Sequence, residues 1–225
     1  MDCIVSVFDD LKRCGMFLDA LIRSRSDVSS FCGELRAHHE ETFFHGYRVA
    51  LLSVAFGYEN RVDEASLSTL AYAGLLHDLG KRCIPVDLID SPSSLDEGQR
   101  RVMGAHPRLG FVLLERFDES VRKVVVAHHE YKKNPYPRSK VDRRVDELIP
   151  RSGEERRKPD AIVDSLAQIV AAADIYDALS SRRAYKSSMC SHGVREVMNE
   201  QYLGDVKYVE QLFVDKPDEV IGGAL

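Results

Sequence analysis

The chain has no apolar run near the roughly 18 residues that a membrane-spanning helix needs, and its opening, MDCIVSVFDDLKR, puts acids where a signal peptide is apolar. A cytoplasmic location with no membrane association is therefore expected. Cysteine is scarce and scattered: Cys3, Cys14, Cys32, Cys83 and Cys190 are odd in number and form no CxxC. That pattern excludes a disulfide framework and a zinc knuckle, and it fits a reducing compartment. Period-2 alternation of useful length is missing, as are Asn-Gly and Asp-Gly hairpin turns, so strands are not expected. Positive charge is not in excess either. With 31 Lys and Arg against 36 Asp and Glu, the net charge of −5 leaves no footprint for duplex nucleic acid. A polyanion that binds must meet a local cluster of cations or metals, and small anionic substrates stay open. No internal repeat is found.

What the sequence does have is helical spacing from end to end. Its 225 residues, 44% hydrophobic and 30% charged, suffice for one sizeable core or a core with a small appendage. The fold class expected is all-α, a helical bundle with an N-terminal helical extension over residues 1–37 and short helices in a tail over residues 191–225. The extension offers Val7, Leu11, Phe17, Leu18, Leu21 and Ile22, with a polar break near residues 24–30. A helix over residues 40–57 carries His45, and one over residues 65–79 delivers His77 and Asp78, with Gly80 as a helix stop. Ser94-Leu95-Asp96-Glu97 reads as a capping box that starts a helix at Leu95, running to His106, where Pro107 opens the next. A helix over residues 119–130 ends on the doublet His128-His129, because Pro135 and Pro137 cannot continue it. Residues 132–159 are dense in charge and poor in apolar side chains, the composition of a loop. Beyond Pro159, the stripe Ile162, Val163, Leu166, Ile169, Val170 and Ala173 predicts a central buried helix with Asp174 and Asp177 on its last turns.

The chemistry-bearing residues gather around these helices. His77-Asp78 is followed by Gly80-Lys81, and His45, His106, His128, His129 and Asp174 add further nitrogen and oxygen ligands. Glu41 stands one helical turn before His45 and shares its face. No thiolate lies near them in sequence, which points away from structural zinc and towards catalytic iron, manganese or similar divalent ions. Five histidines and three carboxylates exceed the needs of one ion. Two ions bridged by a carboxylate such as Asp78 and by a hydroxide would hydrolyse a phosphate ester, and Glu41 offers a ligand for a third. His38, His39 and His192 have no partner pattern and are assigned surface or capping roles.

The motifs HGYRV at 45–49, HDLGK at 77–81, HP at 106–107, HHE at 128–130 and DIYDALSSRRAYK at 174–186 occur in this order. In them the chain resembles the HD superfamily of metal-dependent phosphohydrolases, and within it the HD-GYP branch that hydrolyses cyclic di-GMP. The resemblance spans residues 38–190. It implies a helical core whose metal ligands are His45, His77, Asp78, His106, His128, His129 and Asp174, with Glu41 matching the extra ligand of three-metal members. It further implies that Lys81, Arg183 and Lys186 hold phosphate and that Asp78 and Lys81 take part in catalysis. Asp177, one turn after Asp174, is placed to orient a ligand histidine, while Glu130 either orients a ligand or ends its helix.

The chain departs from the branch in its signature loop, where YKKNPYP has Pro135-Tyr136-Pro137 in place of a glycine-rich run ending in Gly-Tyr-Pro. Proline in place of glycine removes an amide donor and access to positive φ, so the loop takes a different path. Tyr136 is a candidate for stacking on guanine. The leading expectation is a metal-dependent cyclic-dinucleotide phosphodiesterase. The altered loop keeps two rivals open: an HD phosphohydrolase acting on other nucleotides, and a metal- and nucleotide-binding signalling module with little catalysis. About 38 residues ahead of the core are too few for a sensor domain, so regulation is expected from a protein partner or from homo-oligomerisation.

Overall fold

Helices form where the apolar spacing predicted them, and the differences lie at their ends. The computed structural model describes residues 11–91, 93–133, 160–181 and 189–213. The order is α1 (Leu11–Ser24), α2 (Ser26–His38), α3 (Glu40–Glu59), α4 (Glu64–Leu76), a 3-10 turn (Leu79–Cys83), α5 (Val86–Ile89), α6 (Glu97–Met103), α7 (His106–Leu113) and α8 (Glu119–Ala127). Then come α9 (Ala161–Ser180), α10 (Ser191–Gln201) and α11 (Lys207–Leu212). Among the described residues there is no strand, only an isolated bridge between Lys132 and Tyr202. Nor is any helix among them long and apolar enough to cross a membrane.

Three local readings are corrected. The break in the N-terminal region is the single extended residue Arg25, not the stretch 24–30. The capping box belongs to Asp96 and Gln99, which exchange side-chain bonds with each other's amides, so α6 starts at Glu97 rather than at Leu95. Gly80 is not a left-handed stop. No described glycine has positive φ, α4 already ends at Leu76, and Gly80 lies inside the 3-10 turn.

Small residues set the spacing of the layers. A Cβ built on Gly74 would lie 2.7 Å from the Ala50 Cα, and one on Gly46 would lie 2.7 Å from the Leu75 carbonyl oxygen. Helices α3 and α4 therefore meet backbone to backbone, a separation that any larger side chain would widen. Helix α9 uses the same device with Ala167, Ala171, Ala172 and Ala173, all fully buried. It is the central buried helix that the stripe after Pro159 predicted, with its first turn capped by Asp160. Cys14, Leu18 and Val28 from the first two helices join the same apolar cluster as Leu70, Val124 and Ile169. That packing brings the chemistry-bearing ends of α4, α7 and α8 against α3 and α9.

Candidate metal centre

Helix ends supply most of the candidate ligands. His77 and His128 stand at the C-caps of α4 and α8, His106 opens α7, and His45 and Asp174 come from within α3 and α9. All of these, with Asp78, are buried. Their juxtaposition depends on Gly80. A Cβ there would clash with the His106 carbonyl oxygen and lie 2.8 Å from the Gly110 nitrogen, so the 3-10 turn can press Asp78 against α7 only if residue 80 lacks a side chain.

The histidines are oriented by one repeated device. Nδ1–H of His77 donates to the Gly74 carbonyl at 2.8 Å, that of His106 to Met103 at 2.7 Å, and that of His128 to Val125 at 2.6 Å. Each acceptor is three residues back, so the local turn fixes the tautomer and leaves Nε2 as a lone pair facing the centre. His45 is held by a side chain instead, its Nδ1–H donating to Asp177 Oδ2 at 2.7 Å.

The exposed lone pairs converge on the two oxygens of Asp78. His106 Nε2 lies 3.2 Å from Oδ1, while His77 Nε2 and His45 Nε2 lie 3.4 and 3.8 Å from Oδ2. His106 Nε2 is also 3.4 Å from His128 Nε2 and 3.1 Å from His129 Nε2. His77 Nε2 is buried without a hydrogen-bond partner among the described residues. Acceptor atoms packed this closely, with the ring protons of His45, His77, His106 and His128 turned away, suit a cation between them. The groups able to hold one are His45, His77 and Asp78; His77, His128 and Asp174; and His106, His128 and His129. Their nitrogen and oxygen donors fit divalent metal.

Three cations balance the carboxylates of the site. Lys81 Nζ meets Asp78 Oδ2 at 2.6 Å, Lys132 Nζ meets Asp174 Oδ2 at 2.7 Å, and Arg48 Nε meets Asp177 Oδ1 at 2.7 Å. Burial pushes the Asp78 and Asp174 carboxyls up, but Lys81 and Lys132, together with nearby imidazoles, hold both well below the ordinary range. Asp177 is lowered to about 2, as bonds from His45 and Arg48 overcome its burial. Burial pushes His106 down to about 4 despite the attraction of Asp78. His128 and His129 fall well below their usual value through burial and mutual repulsion. His45 goes the other way: burial disfavours its charge, yet Asp174 and Asp177 on its two nitrogens raise it.

The remaining predicted site residues divide. Asp177 orients His45, as its spacing from Asp174 implied. Glu130 closes the turn after α8 through its amide, which donates to the Ala127 carbonyl. Glu41 lines the cleft but gives its carboxylate to Arg48 at 3.0 Å and belongs to none of the three ligand groups. Tyr136, Arg183, Lys186 and the Pro135–Pro137 loop lie outside the described residues, as does nearly all of the charged segment. His38 bonds the Ile84 carbonyl and His192 pairs with Glu196 on the surface. His39 caps α3 by accepting from the Thr42 amide, the capping role expected of it, and it also lines the cleft. Sequence reasoning missed Arg48 and Lys132. Arg48 stands three residues past His45, and Lys132 four past His128, spacings that could have marked both as neighbours of ligands.

A cleft of about 410 Å³ opens over the centre, lined by Asp78, Lys81, His106, His129, Lys132 and Asp174 at its floor. Leu88 and Ile89 of α5, its C-cap Asp90, and Met103 of α6 also line it.

The helical bundle thus holds a buried histidine–aspartate cluster at the foot of a cleft. The chain belongs to the HD domain family, whose pattern it matches over residues 42–179. It is 35% identical over 132 residues to the cyclic di-GMP phosphodiesterase response regulator RpfG of Xanthomonas campestris, a match covering 56% of this chain and 30% of that protein. It is 27% identical over 191 residues to the 3'3'-cGAMP-specific phosphodiesterase 2 of Vibrio cholerae, covering 83% and 33%. The chain thus spans about a third of the length of these curated relatives. In fold it is similar to the HD domain of the L. monocytogenes phosphodiesterase PgpH, solved with cyclic-di-AMP. That likeness has a TM-score of 0.52 and 14% identity, and covers 81% of this chain and 91% of that one.

Proposed function

We propose that this chain is a metal-dependent phosphodiesterase for cyclic dinucleotides, with cyclic di-GMP as the leading substrate. The observation that carries the reading is the convergence of imidazole Nε2 atoms on both oxygens of Asp78, beneath a cleft floored by two lysines. The relatives named as phosphodiesterases of cyclic di-GMP and 3'3'-cGAMP give the substrate class.

His45, His77, Asp78 and Asp174 would hold one ion, and Asp78, His106, His128 and His129 a second, with Asp78 shared. Iron or manganese suits this mixed donor set, and Glu41, turning from Arg48, is the reserve ligand for a third. When bound, such ions supply Lewis acidity towards a phosphoryl oxygen and acidify water. The chain's own groups do the rest. Asp177 and the carbonyls of Gly74, Met103 and Val125 keep four of the five imidazoles, those of His45, His77, His106 and His128, in the ligating tautomer. Lys81 and Lys132, which line the cleft floor, would offer their ammonium groups to a phosphate there and stabilise charge that builds up on it. Arg183 and Lys186 are assigned phosphate contacts and Tyr136 a base contact.

The test is metal analysis of anaerobically purified protein, followed by assays of iron- and manganese-loaded samples on cyclic di-GMP. Turnover that disappears in His77→Ala and Asp78→Ala is the expected result. Tight metal without turnover would overturn the enzyme reading in favour of a binding module, and no metal under any condition would refute both.

A further inference from the structure

Part of the cleft lining is built unlike the histidine–aspartate floor. Leu88, Ile89, Leu95 and Met103 lie there half-buried, and none of them belongs to the apolar core cluster. They form an apolar surface turned towards the cavity rather than the protein interior, suited to the face of a flat ring. At its edge stands Asp90, whose side chain is 52% exposed, at the C-cap of α5.

Asp90 does not hang free. His39 Nδ1 accepts from the Thr42 amide at 3.1 Å, so the proton of the neutral ring lies on Nε2, which donates to Asp90 Oδ1 at 2.9 Å. The His39 side chain is only 13% exposed and the Thr42 hydroxyl braces it at 2.7 Å, so the ring is a fixed support. One carboxylate oxygen is anchored, and Oδ2 has no hydrogen bond among the described residues.

We propose that Asp90 reads the nucleobase, accepting hydrogen bonds from N1–H and the 2-amino group of a guanine laid against the Leu88–Met103 wall. The inference rests on the cyclic-dinucleotide reading and deepens it. An ionised carboxylate only accepts. Guanine offers it two adjacent donors, whereas adenine places the N1 lone pair against it and hypoxanthine lacks the second donor. A site built to satisfy a pair of donors rejects analogues that lack one of them.

The experiment titrates manganese-loaded full-length chain with GMP, IMP and AMP by calorimetry, in the wild type and in Asp90→Asn. The near-isosteric amide at an exposed position keeps the fold. The wild type should prefer GMP by roughly tenfold over both analogues, and in Asp90→Asn the preference should shrink to about twofold, with GMP losing more affinity than IMP. Equal affinities in the wild type, a preference that survives in Asp90→Asn, or no binding of any mononucleotide would overturn the proposal. Hydrolysis of cyclic di-GMP is measured alongside. A GMP preference lost in Asp90→Asn without any turnover would sink the phosphodiesterase reading and leave the base site standing. Turnover with an unchanged preference would do the reverse.

Discussion

Gly80→Ala adds one methyl group and removes no ligand, yet it should cost both stability and metal. The added carbon would meet three backbone atoms, the His106 carbonyl oxygen and carbon and the Gly110 nitrogen. None of these is the end of a side chain that can swing away, so the 3-10 turn and α7 must separate. Overpacking of this kind costs about 1–3 kcal/mol, and an unyielding backbone puts this site at the upper end. The entropy that alanine removes from the unfolded chain returns at most about 1 kcal/mol. A net loss of about 2 kcal/mol lowers the melting temperature of a chain this size by roughly 4–8 °C. The same separation lengthens the 3.2 Å approach of His106 to Asp78, on which the second ion depends. Thermal unfolding and metal analysis of the purified variant are the assays. Gly33→Ala is the control: it lies exposed within α2 with nothing within 4 Å of its Cβ, and should be neutral or stabilising by up to about 1 kcal/mol. A Gly80→Ala protein with wild-type melting and full metal content would refute the close-packing argument.

Other expectations follow from the contacts around the centre. Asp177→Asn weakens the acceptor of His45 Nδ1–H and the partner of Arg48, so chelator competition should show metal affinity reduced by about 10–100-fold, with the ligand set intact. Lys132→Met removes the counter-ion of Asp174: the chelator-treated protein should melt lower than wild type, while metal affinity should rise because a competing cation is gone. Equal changes in both states would contradict that role. The metal-free protein should also lose stability on acidification. His106 has a folded pKa of about 4 against an ordinary 6.5, so the unfolded chain takes up a proton first as pH falls between these values. Stability is thus full above pH 6.5 and drops through that window by about 3 kcal/mol, measurable by urea unfolding of chelator-treated protein. Bound metal should suppress the effect until the metal itself is lost.

How much was legible depends on whether the signal was local. The helices of the core were, because apolar residues at helical spacing require a buried face wherever the partner stands, and α9 followed from its stripe alone. The candidate ligands were legible as an ordered series of motifs, since HDLGK, HP and HHE keep their side chains in short, contiguous pieces. The i, i−3 carbonyl bonds that fix three of the imidazoles are equally local, although sequence reasoning passed over them. Gly80 was visible as important and misread. A glycine needed because another helix packs on it looks the same in sequence as a glycine needed for left-handed φ.

The sequence by itself determined that this chain is all-helical, that it carries an excess of hard and borderline metal ligands, and which family motifs hold them. Tertiary structure alone decided that Asp78 presents one oxygen to His106 and the other to His77 and His45, and that three cations balance three buried carboxylates. It also set Asp90, braced by His39, beside apolar residues in the lining of the cleft. The physical reason is distance along the chain. Asp78 and His106, His45 and Asp177, Lys132 and Asp174 are tens of residues apart or more, and no periodicity encodes such pairs. The close approach of α3 and α4 at Gly46, Ala50 and Gly74, and of the 3-10 turn and α7 at Gly80, is what brings distant parts of the chain together around the centre.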